Sequence, residues 1–444
     1  MTQHPPNPNN APLMRDPNFL WLMAGSFITL LGDQFTLVAL PWLVLRMTQD
    51  TLVLGTVLGL LSLPRALFIL IGGAVVDRFS PKRVLMVTKY ANTVLLGTLT
   101  LLVLGGGLAL WMVYALAFAI GLATAFSIPS GTSMLPHVMP RAQLAAANGV
   151  MMGLRQVSMF VGPLVAALLI ALFGNHPDAT QPGAIVDAQG LGLAFGLDAL
   201  SFLLSAWTLA KVRLRVMDGA AAQQGQGGES VWAAVLSGLR HLRDDSALRL
   251  CFIYWSVVAV LVTGPVQIAM PVLVSTRNLG AAALGVLLGA HGGGTLVGMA
   301  LSGARPVLRL GTLGMTLLVV DGVVGLLFMP MGMITAAWQG AALLALIGML
   351  GGFIQVSIFT WIQGRTPPAL MGRVMSMFMF IFLGLAPLAG AVTGWLMRYV
   401  APGALFMGCG ALLVAVVLVA WVASPMRRVA PALRAQVPAS SGLG

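Results

Sequence analysis

Five ionisable residues stand inside runs of apolar sequence that are long enough to cross a bilayer. They are Asp33, Arg65, Arg155, Asp198 and Asp321. A charged side chain is costly in hydrocarbon, so such residues mark ion or substrate pathways, proton relays or structural pairs. Their chemistry is ion pairing and proton exchange.

The depths of Asp33 and Arg65 predict that these two residues interact. Asp33 stands about 12 residues, and Arg65 about 13, from the outer ends of their runs, so at 1.5 Å per residue they share nearly one depth. One hypothesis makes Asp33 a proton or cation site whose proton affinity depends on Arg65, because a neighbouring cation favours the carboxylate while burial opposes it. The alternative is a fixed structural ion pair.

Arg155 and His291 each allow two interpretations. Arg155, which precedes Gln156, either contacts an anionic substrate or pairs with another helix. His291 is flanked by Gly289 and Gly292, and we expect a packed polar residue there rather than a proton carrier.

The elements that hold these residues are membrane-spanning helices. The chain has 444 residues, of which 58% are hydrophobic and 8% charged, whereas soluble domains carry about 25% charged residues. About 20 apolar residues cross the hydrocarbon as one helix. The predicted helices lie near 19–45, 52–76, 84–107, 110–133, 144–173, 191–210, 249–274, 281–303, 312–331, 334–361, 372–398 and 403–423. The fold class is therefore an all-α membrane protein with twelve transmembrane helices.

The distribution of Lys and Arg predicts the orientation of these helices. Nineteen such residues, Lys89 among them, fall on the side of the N-terminus, and three fall on the other side: Arg46, Arg277 and Arg398. Cytoplasmic loops carry the excess of cations, so both termini are expected in the cytoplasm, with the chain multi-pass in a bacterial inner membrane. The net charge of +12 is then explained by cations in loops beside the lipid bilayer, and a nucleic-acid partner is not expected.

The longest polar stretch divides the chain into two halves. It contains a Gly, Gln and Ala segment that is typical of a flexible linker. Weak repetition supports a duplicated unit, since aligning Pro163 with Pro387 also pairs Val150 with Val374. The predicted organisation is an N-terminal tail at 1–18, a six-helix bundle at 19–210, a linker at 211–248, a second six-helix bundle at 249–423 and a C-terminal tail at 424–444.

Two groups of residues carry a family resemblance. The turn after the second run reads Gly72, Gly73, Ala74, Val75, Val76, Asp77, Arg78, Phe79, Ser80, Pro81, Lys82 and Arg83. It resembles the signature loop of the major facilitator superfamily, although Ser80 and Pro81 replace a frequent Gly-Arg pair. A second set looks like the bacterial efflux branch that contains macrolide exporters and the enterobactin exporter: Gly32, Asp33, Pro41, Trp42, Pro129, Leu135, Pro136, Pro140, Leu144, Ala147, Asn148, Gly162 and Pro163.

The resemblance implies a fold and a gate. The fold would be two pseudo-symmetric six-helix bundles. The gate would close the cytoplasmic side, with a carboxylate near the positive N-terminus of a helix from the other half. Its residues would be Gly73, Asp77, Arg78, Lys82 and Arg83. An ordinary interfacial basic loop is the alternative.

Glycines spaced four apart indicate where helices approach closely. Such sets occur on the second, fifth, eighth and eleventh runs, and the resemblance implies that runs two and eleven, and five and eight, meet between the halves. They are Gly55 and Gly59; Gly149 and Gly153; Gly285, Gly289 and Gly293; Gly390 and Gly394. Runs six and ten also carry such pairs, Gly192 with Gly196 and Gly348 with Gly352.

The resemblance also sorts the polar residues inside the membrane. Asp198 and Asp321 fall on peripheral runs, which favours structural hydrogen bonding. The substrate cavity would be lined by Gln34, Thr124, Arg155, Tyr254, Gln267, Gln355 and Trp361. The 26 methionines would suit a cavity that accepts different lipophiles, or simply face lipid.

Motifs for enzymatic catalysis or nucleotide binding are not found in the sequence, and Cys251 and Cys409 offer no metal cluster. The sequence therefore predicts a secondary active transporter without a cofactor, driven by the proton gradient. It would export lipophilic or amphipathic small molecules by alternating access, as a monomer. The alternatives are a dedicated siderophore or lysophospholipid exporter or flippase and, outside transport, a membrane sensor or an intramembrane enzyme.

Overall fold

A computed structural model describes residues 13–140, 143–173, 187–214, 231–304, 311–367 and 370–429. Within the helices, the side chains at 69–78 and at scattered further positions lie outside this description. The helices are α1 (Pro17–Thr48), α2 (Thr51–Arg78), α3 (Pro81–Leu104), α4 (Leu110–Val138), α5 (Leu144–Phe173), α6 (Ala188–Lys211), α7 (Val231–Asp244), α8 (Ser246–Gly264), α9 (Gly280–Ala304), α10 (Leu313–Phe328), α11 (Ala337–Arg365), α12 (Met371–Met379) and α13 (Pro402–Ala423).

Two of these helices continue through a π turn. α8 passes through Pro265–Ala269 into Met270–Thr276, and α12 passes through Phe380–Gly384 into Ala386–Leu396. α10 ends in a 3₁₀ turn, Met329–Met333. We keep the names α8, α10 and α12 for the continuous rods.

Side-chain caps fix where several helices begin. The Asp16 carboxylate accepts from the backbone amides of Asn18 and Phe19 at the start of α1. The Asp245 carboxylate caps α8, and the Thr312 hydroxyl caps α10. These acceptors satisfy amide groups that the first turn of a helix leaves without a partner.

Among the described residues, ten helices are long and apolar enough to cross a membrane. The twelve predicted spans also include α2, whose described apolar part is Thr51–Arg65, and the interrupted α12. The all-helical membrane protein is confirmed, whereas the count of twelve spans stays a prediction.

Helices pack mainly within each half of the sequence. In the first half α1 packs on α5 and α6, α3 on α4 and α6, and α2 on α4. In the second half α9 packs on α11, α10 on α13, and α8 on α12. The main contacts between the halves are α5 with α9 and α2 with α12, and smaller contacts join α1 to α8 and α9 and α2 to α8.

Glycines make the contact between α5 and α9. A methyl group placed on Gly285 would overlap Ala167 Cβ and the Pro163 carbonyl oxygen, and one on Gly293 would meet the Phe160 ring at 2.8 Å. Backbones can approach this closely only because no side chain intervenes. The predicted meeting of runs five and eight is confirmed.

α2 and α12 meet in the same way. A methyl group on Gly55 would lie 3.3 Å from the Gly390 carbonyl oxygen and 3.4 Å from Gly394 Cα, which confirms the meeting of runs two and eleven. The expectation for Gly149 and Gly153 is wrong in this conformation, since a methyl group on either would meet open space among the described atoms.

The halves therefore close at one end of the molecule and separate toward the other. We call the closed end, at the α1–α2 loop with Asp50 and the end of α12 with Arg398, the distal end. The opposite end, where α1 begins and α13 ends, is the terminal end. Gly149 and Gly153 lie in the terminal part of α5, and no described atom of the second half lies within 4 Å of a methyl group placed on either.

Candidate functional site

A polar seam joins α1 to α6. It consists of Gly25, Thr29, Gly32 and Thr36 on α1 and of Asp198, Ser201, Ser205 and Thr208 on α6. These residues recur every three or four positions and so share one face of each helix. Methyl groups on Gly25 or Gly32 would overlap the hydroxyl groups of Thr208 or Ser201, so the close approach of the helices requires glycine.

Asp198 lies inside this seam, with 1% of its surface exposed. Its carboxyl group accepts hydrogen bonds from the hydroxyl groups of Thr36 and Ser201. The predicted structural hydrogen bonding of Asp198 is confirmed.

Lys89 of α3 inserts into the same seam and exposes 6% of its surface. Its ammonium group donates to Thr29 Oγ1 at 3.1 Å and to Ser205 Oγ at 2.5 Å. The assignment of Lys89 to the cations of the terminal side is wrong, because it stands eight residues into α3, about 12 Å along the helix axis.

Asp33 is exposed although it lies in the middle of α1. Its strongest electrostatic interaction is with Arg65 of α2, followed by Lys89 of α3 and Arg155 of α5. An exposed carboxyl group on which charges from three other helices act is more consistent with a position facing those helices than with one facing lipid. The electrostatic interaction that the sequence predicts between Asp33 and Arg65 is present, whereas the role of the two residues in proton coupling stays a prediction.

The two arginines differ in their surroundings. Arg65 is half-buried, and its Nε atom has no hydrogen-bond partner among the described residues. Arg155 is exposed. The ion pairs within 4.0 Å found among the described residues do not include Asp33 with Arg65, so the pair interacts without direct contact.

The second half holds a simpler buried pair. The Tyr254 hydroxyl of α8 donates to Asp321 Oδ2 of α10 at 2.8 Å, and both residues are buried. The predicted structural hydrogen bonding of Asp321 is confirmed. His291 packs in this half too, with its carbonyl oxygen against Gly348 of α11.

Two of the cavity candidates are packed inside the second half. Tyr254 exposes 5% of its surface and Trp361 exposes 2%. The Trp361 ring contacts the Trp255 ring at 6.2 Å between centroids. Neither side chain lines an open cavity in this conformation, because the Tyr254 hydroxyl donates to Asp321 and the Trp361 ring packs against other aromatic rings.

The other cavity candidates are accessible to different degrees. Gln355 is exposed, and Gln34, Thr124 and Gln267 are half-buried. Gln34 packs against Gly162 of α5, and the Thr124 hydroxyl donates to the Ile120 carbonyl of its own helix. Their role in binding stays a prediction.

The gate residues divide between described and undescribed positions. The surroundings of Gly73 and the side chains of Asp77 and Arg78 lie outside what the structure describes. Lys82 donates to the carbonyl oxygens of Ala210 and Val212, at 3.2 and 2.6 Å, and so satisfies the end of α6. Arg83 is exposed beside an apolar groove between α3 and α4.

Besides the pair of Arg46 and Asp187, 3.7 Å apart within the first half, two ion pairs among the described residues lie at the ends of helices. At the distal end Arg398 contacts Asp50 across the halves at 3.1 Å. At the terminal end Arg365 of α11 holds Asp245 with two hydrogen bonds of 2.7 and 3.1 Å. Sequence reasoning missed both, since each partner is distant in the chain and reads as an ordinary loop charge.

The same surroundings shift the pKa of both acids. Slight burial opposes ionisation of Asp50, but the Leu52 amide and the Arg398 guanidinium outweigh it and hold its pKa below the usual range. For Asp245, burial is likewise outweighed by Arg365 and by backbone amides, so its pKa is also lowered. Both groups therefore carry a negative charge at neutral pH.

Long apolar helices that pack as two halves, with ionisable side chains inside the spans of the first half, are typical of a membrane transporter. Within that class the chain belongs to the Major Facilitator Superfamily, whose sequence model matches residues 22–391. The resemblance seen in the Asp-Arg loop is confirmed.

Several similar proteins are exporters. The multidrug efflux pump Tap of Mycobacterium tuberculosis is 27% identical over 387 residues, 86% of this chain and 87% of that protein. The enterobactin exporter EntS of Shigella boydii is 24% identical over 369 residues, 82% of this chain and 81% of that protein. Macrolide efflux protein A of Streptococcus pyogenes is 26% identical over 196 residues, 44% of each chain.

Solved structures share the fold. The nucleoside transporter NupG superposes with a TM-score of 0.67 at 13% identity, covering 90% of this chain and 97% of that one. The xylose transporter XylE from E. coli, in an inward open conformation, superposes with a TM-score of 0.63 at 13% identity, covering 91% and 95%. The chain is thus a multi-pass membrane transporter of a family that includes efflux pumps.

Proposed function

We propose that this protein exports lipophilic or amphipathic, drug-like molecules by alternating access, in exchange for protons. The observation that carries the proposal is Asp33, an exposed carboxyl group within a span and beside Arg65, Lys89 and Arg155. Nearby cations favour the carboxylate and loss of water favours the protonated acid, so a change in access to Asp33 changes its proton affinity. The similarity to multidrug and macrolide efflux proteins supports this kind of cargo.

The proposed architecture is twelve spans in two pseudo-symmetric six-helix bundles, at 19–210 and 249–423. The excess of Lys and Arg at the terminal end supports a cytoplasmic location for both termini in a bacterial inner membrane. The transporter acts as a monomer, because one chain contributes both halves of the site.

The transport cycle alternates between closure at the two ends. The distal contacts at Gly55, Gly285 and the Asp50–Arg398 pair separate when the other end closes. Closure of the terminal end would then bring the gate of Gly73, Asp77, Arg78, Lys82 and Arg83 against the second half.

The cargo binds in the opening between the halves. We propose Gln34, Thr124, Arg155, Gln267 and Gln355 as its polar contacts, because these candidates keep accessible surface. Flexible methionine side chains on α5 such as Met152 and Met159, both exposed, suit cargo molecules of different shapes.

Flux measurements with purified protein in proteoliposomes test the proposal. An imposed pH gradient drives uptake of ethidium, erythromycin and lysophosphatidylcholine in separate samples, and a pH dye follows the protons. Asp33→Asn is compared with Asp321→Asn, a matched change in the second half that keeps an oxygen able to accept from Tyr254.

We expect gradient-driven flux of at least two probes in the native protein and in Asp321→Asn, and at least a tenfold loss in Asp33→Asn with probe binding retained. Unchanged flux in Asp33→Asn would remove Asp33 from the mechanism. If the flux of every probe is the same with and without the pH gradient, proton exchange is overturned.

The charges of the first half favour a second candidate, a dedicated exporter of an acidic amphiphile such as a siderophore or a lysophospholipid. Three cations, Arg65, Lys89 and Arg155, act on one carboxyl group, Asp33, while the nearby carboxyl group of Asp198 is held by the hydroxyl groups of Thr36 and Ser201. Exclusive flux of a catecholate siderophore or of lysophosphatidylglycerol, lost in Arg155→Gln, would establish this candidate.

A further inference from the structure

Lys89 connects three helices through the N–H groups of its ammonium, and these groups can also donate to a different acceptor. Its ammonium group has three N–H donors, and the hydroxyl groups of Thr29 and Ser205 accept two hydrogen bonds. Ser205 in turn donates to the Gly25 carbonyl oxygen at 2.6 Å. The lysine thus connects α3 to both helices of the polar seam.

Asp33 lies one helical turn from Thr29, which this ammonium group already contacts. It stands four residues after Thr29 on α1, so the two side chains are stacked on one face, one helical turn apart. The lysine side chain is flexible and carries a compact charge, and its charge already acts on Asp33. A rotation of that side chain carries the ammonium from Ser205 toward the carboxylate.

We propose that Lys89 changes partner with the protonation state of Asp33. In this proposal the observed contacts of the ammonium with Thr29 and Ser205 belong to the state in which Asp33 carries a proton. When Asp33 gives its proton to water in the opening, the ammonium turns to the carboxylate and releases Ser205. Lys89 transfers no proton in this step, so the only proton transferred is that of Asp33.

The exchange links the proton site to helix packing. Release of Ser205 removes one connection between α3 and α6 and loosens the seam against α1. The inference rests on the proposed role of Asp33 as the proton site, and it makes Lys89 a positioning residue that transmits the charge of Asp33 to α6. A merely structural Lys89 would hold the same two hydroxyl groups at every pH.

Carbodiimide labelling tests the exchange without a substrate. Dicyclohexylcarbodiimide reacts with protonated carboxylic acids in apolar surroundings, and mass spectrometry gives the labelling of Asp33 against pH in the full-length protein. Asp321 in the same samples is the internal reference. Arg65, Arg155 and Asp198, the other charged groups that act on Asp33, stay unchanged in every variant.

The variants predict shifts in opposite directions. In Lys89→Met the midpoint of Asp33 labelling should rise by about one pH unit, a tenfold change in proton affinity, because the cation that favours the carboxylate is gone. In Ser205→Ala it should fall, because the ammonium loses its competing partner. Lys89→Arg keeps the charge, so its midpoint should lie close to that of the native protein rather than to that of Lys89→Met.

Thr208→Val is the matched control, since the Thr208 hydroxyl lies in the same seam but bonds only the Ser205 backbone carbonyl among the described groups. Its midpoint should equal that of the native protein. An unchanged midpoint in Ser205→Ala, or a rise there, would overturn partner exchange even where Lys89→Met fails to fold. Shifts as expected without proton-driven flux would refute the proposed function alone, and proton-driven flux without shifts would refute the exchange alone.

Discussion

The carboxyl group of Asp50 and the guanidinium group of Arg398 form an ion pair of 3.1 Å that joins the two halves at the distal end. Beside it, the Thr51 hydroxyl donates to the Gly394 carbonyl oxygen at 3.2 Å. The side chains of the ion pair are 38% and 45% exposed, and exposed pairs contribute about 0.2–1 kcal/mol. The pair therefore biases distal closure without fixing it.

Removing this ion pair should favour the distally open conformation. In Arg398→Gln we expect the open-to-closed ratio to rise by roughly 1.4- to 5-fold, which corresponds to about 0.2–1 kcal/mol. Electron spin resonance distances between labels at Gln49 and Ala401, on opposite halves, report the ratio. Arg277→Gln is the control, because Arg277 donates to the Gly332 carbonyl oxygen within the second half. An equal rise of the open-to-closed ratio in this variant would mean that the Asp50–Arg398 pair makes no specific contribution to distal closure.

The same pair should leave distal closure insensitive to pH between 5 and 8. The pKa of Asp50 is lowered below its ordinary value of 3.8, so the attraction is complete above that value and is lost only as the pH falls through the lowered pKa. The label distances measured from pH 8 to pH 3 check this. In Asp50→Asn any acid-induced opening below pH 4 that comes from this pair should disappear.

Gly285 should be indispensable for distal closure, unlike Gly153. In Gly285→Val the side chain would overlap Pro163 and Ala167, and overpacking costs about 1–3 kcal/mol. We expect wider label distances at the distal end in Gly285→Val and unchanged ones in Gly153→Val, since Gly153 faces open space among the described atoms. Equal distances in both variants would contradict the packing of α5 on α9.

The hydrogen bond between Tyr254 and Asp321 should stabilise the second half. Tyr254→Phe leaves the buried carboxyl group without this donor, and an unsatisfied buried group costs about 1–3 kcal/mol. The melting temperature in detergent should therefore fall. Tyr90→Phe, at a residue that is 50% exposed, should leave it unchanged, and an equal fall in both variants would mean that the hydrogen bond contributes nothing specific.

Asp245 should stabilise the start of α8 more than its neighbour Asp244. It accepts from the amides of Ala247 and Leu248 and from Arg365, and loss of such a cap costs about 0.5–2 kcal/mol. Asp245→Ala should lower the melting temperature, whereas Asp244→Ala, at an exposed acid, should not. Because the pKa of Asp245 is lowered, its contribution should persist at neutral pH and disappear only in acid.

Apolar periodicity and punctuation sufficed for most helices. The helix expected at 144–173 is observed at Leu144–Phe173, since an apolar run in hydrocarbon satisfies its backbone only as a helix. Glycine spacing also located the contacts at Gly55 and Gly285, because close backbone approach requires residues without side chains.

The candidate site was less predictable. Asp33 and Arg65 were found because charges in apolar runs are conspicuous, but Lys89 was counted with the loop cations. Its depth in α3 was the available signal. Its partners, the hydroxyl groups of Thr29 and Ser205, are common inside membrane helices and become informative only once α1, α3 and α6 are packed together. Tyr254 and Trp361 were misplaced because helix number alone does not determine which face of a helix is buried.

The π turns in α8 and α12 have a mechanical consequence. The two helices pack on each other, with Gly264 so close to Ala389 that a methyl group there would lie 2.8 Å from its carbonyl oxygen. A π turn interrupts the regular hydrogen-bond ladder and is a place where a helix bends. Among the described helices of the first half, π turns are not found. We therefore expect the second half to bend at Pro265–Ala269 and Phe380–Gly384 during the cycle. In the first half the matching places are the internal prolines, such as Pro41 of α1, Pro64 of α2 and Pro163 of α5, so the two halves would bend by different local structures.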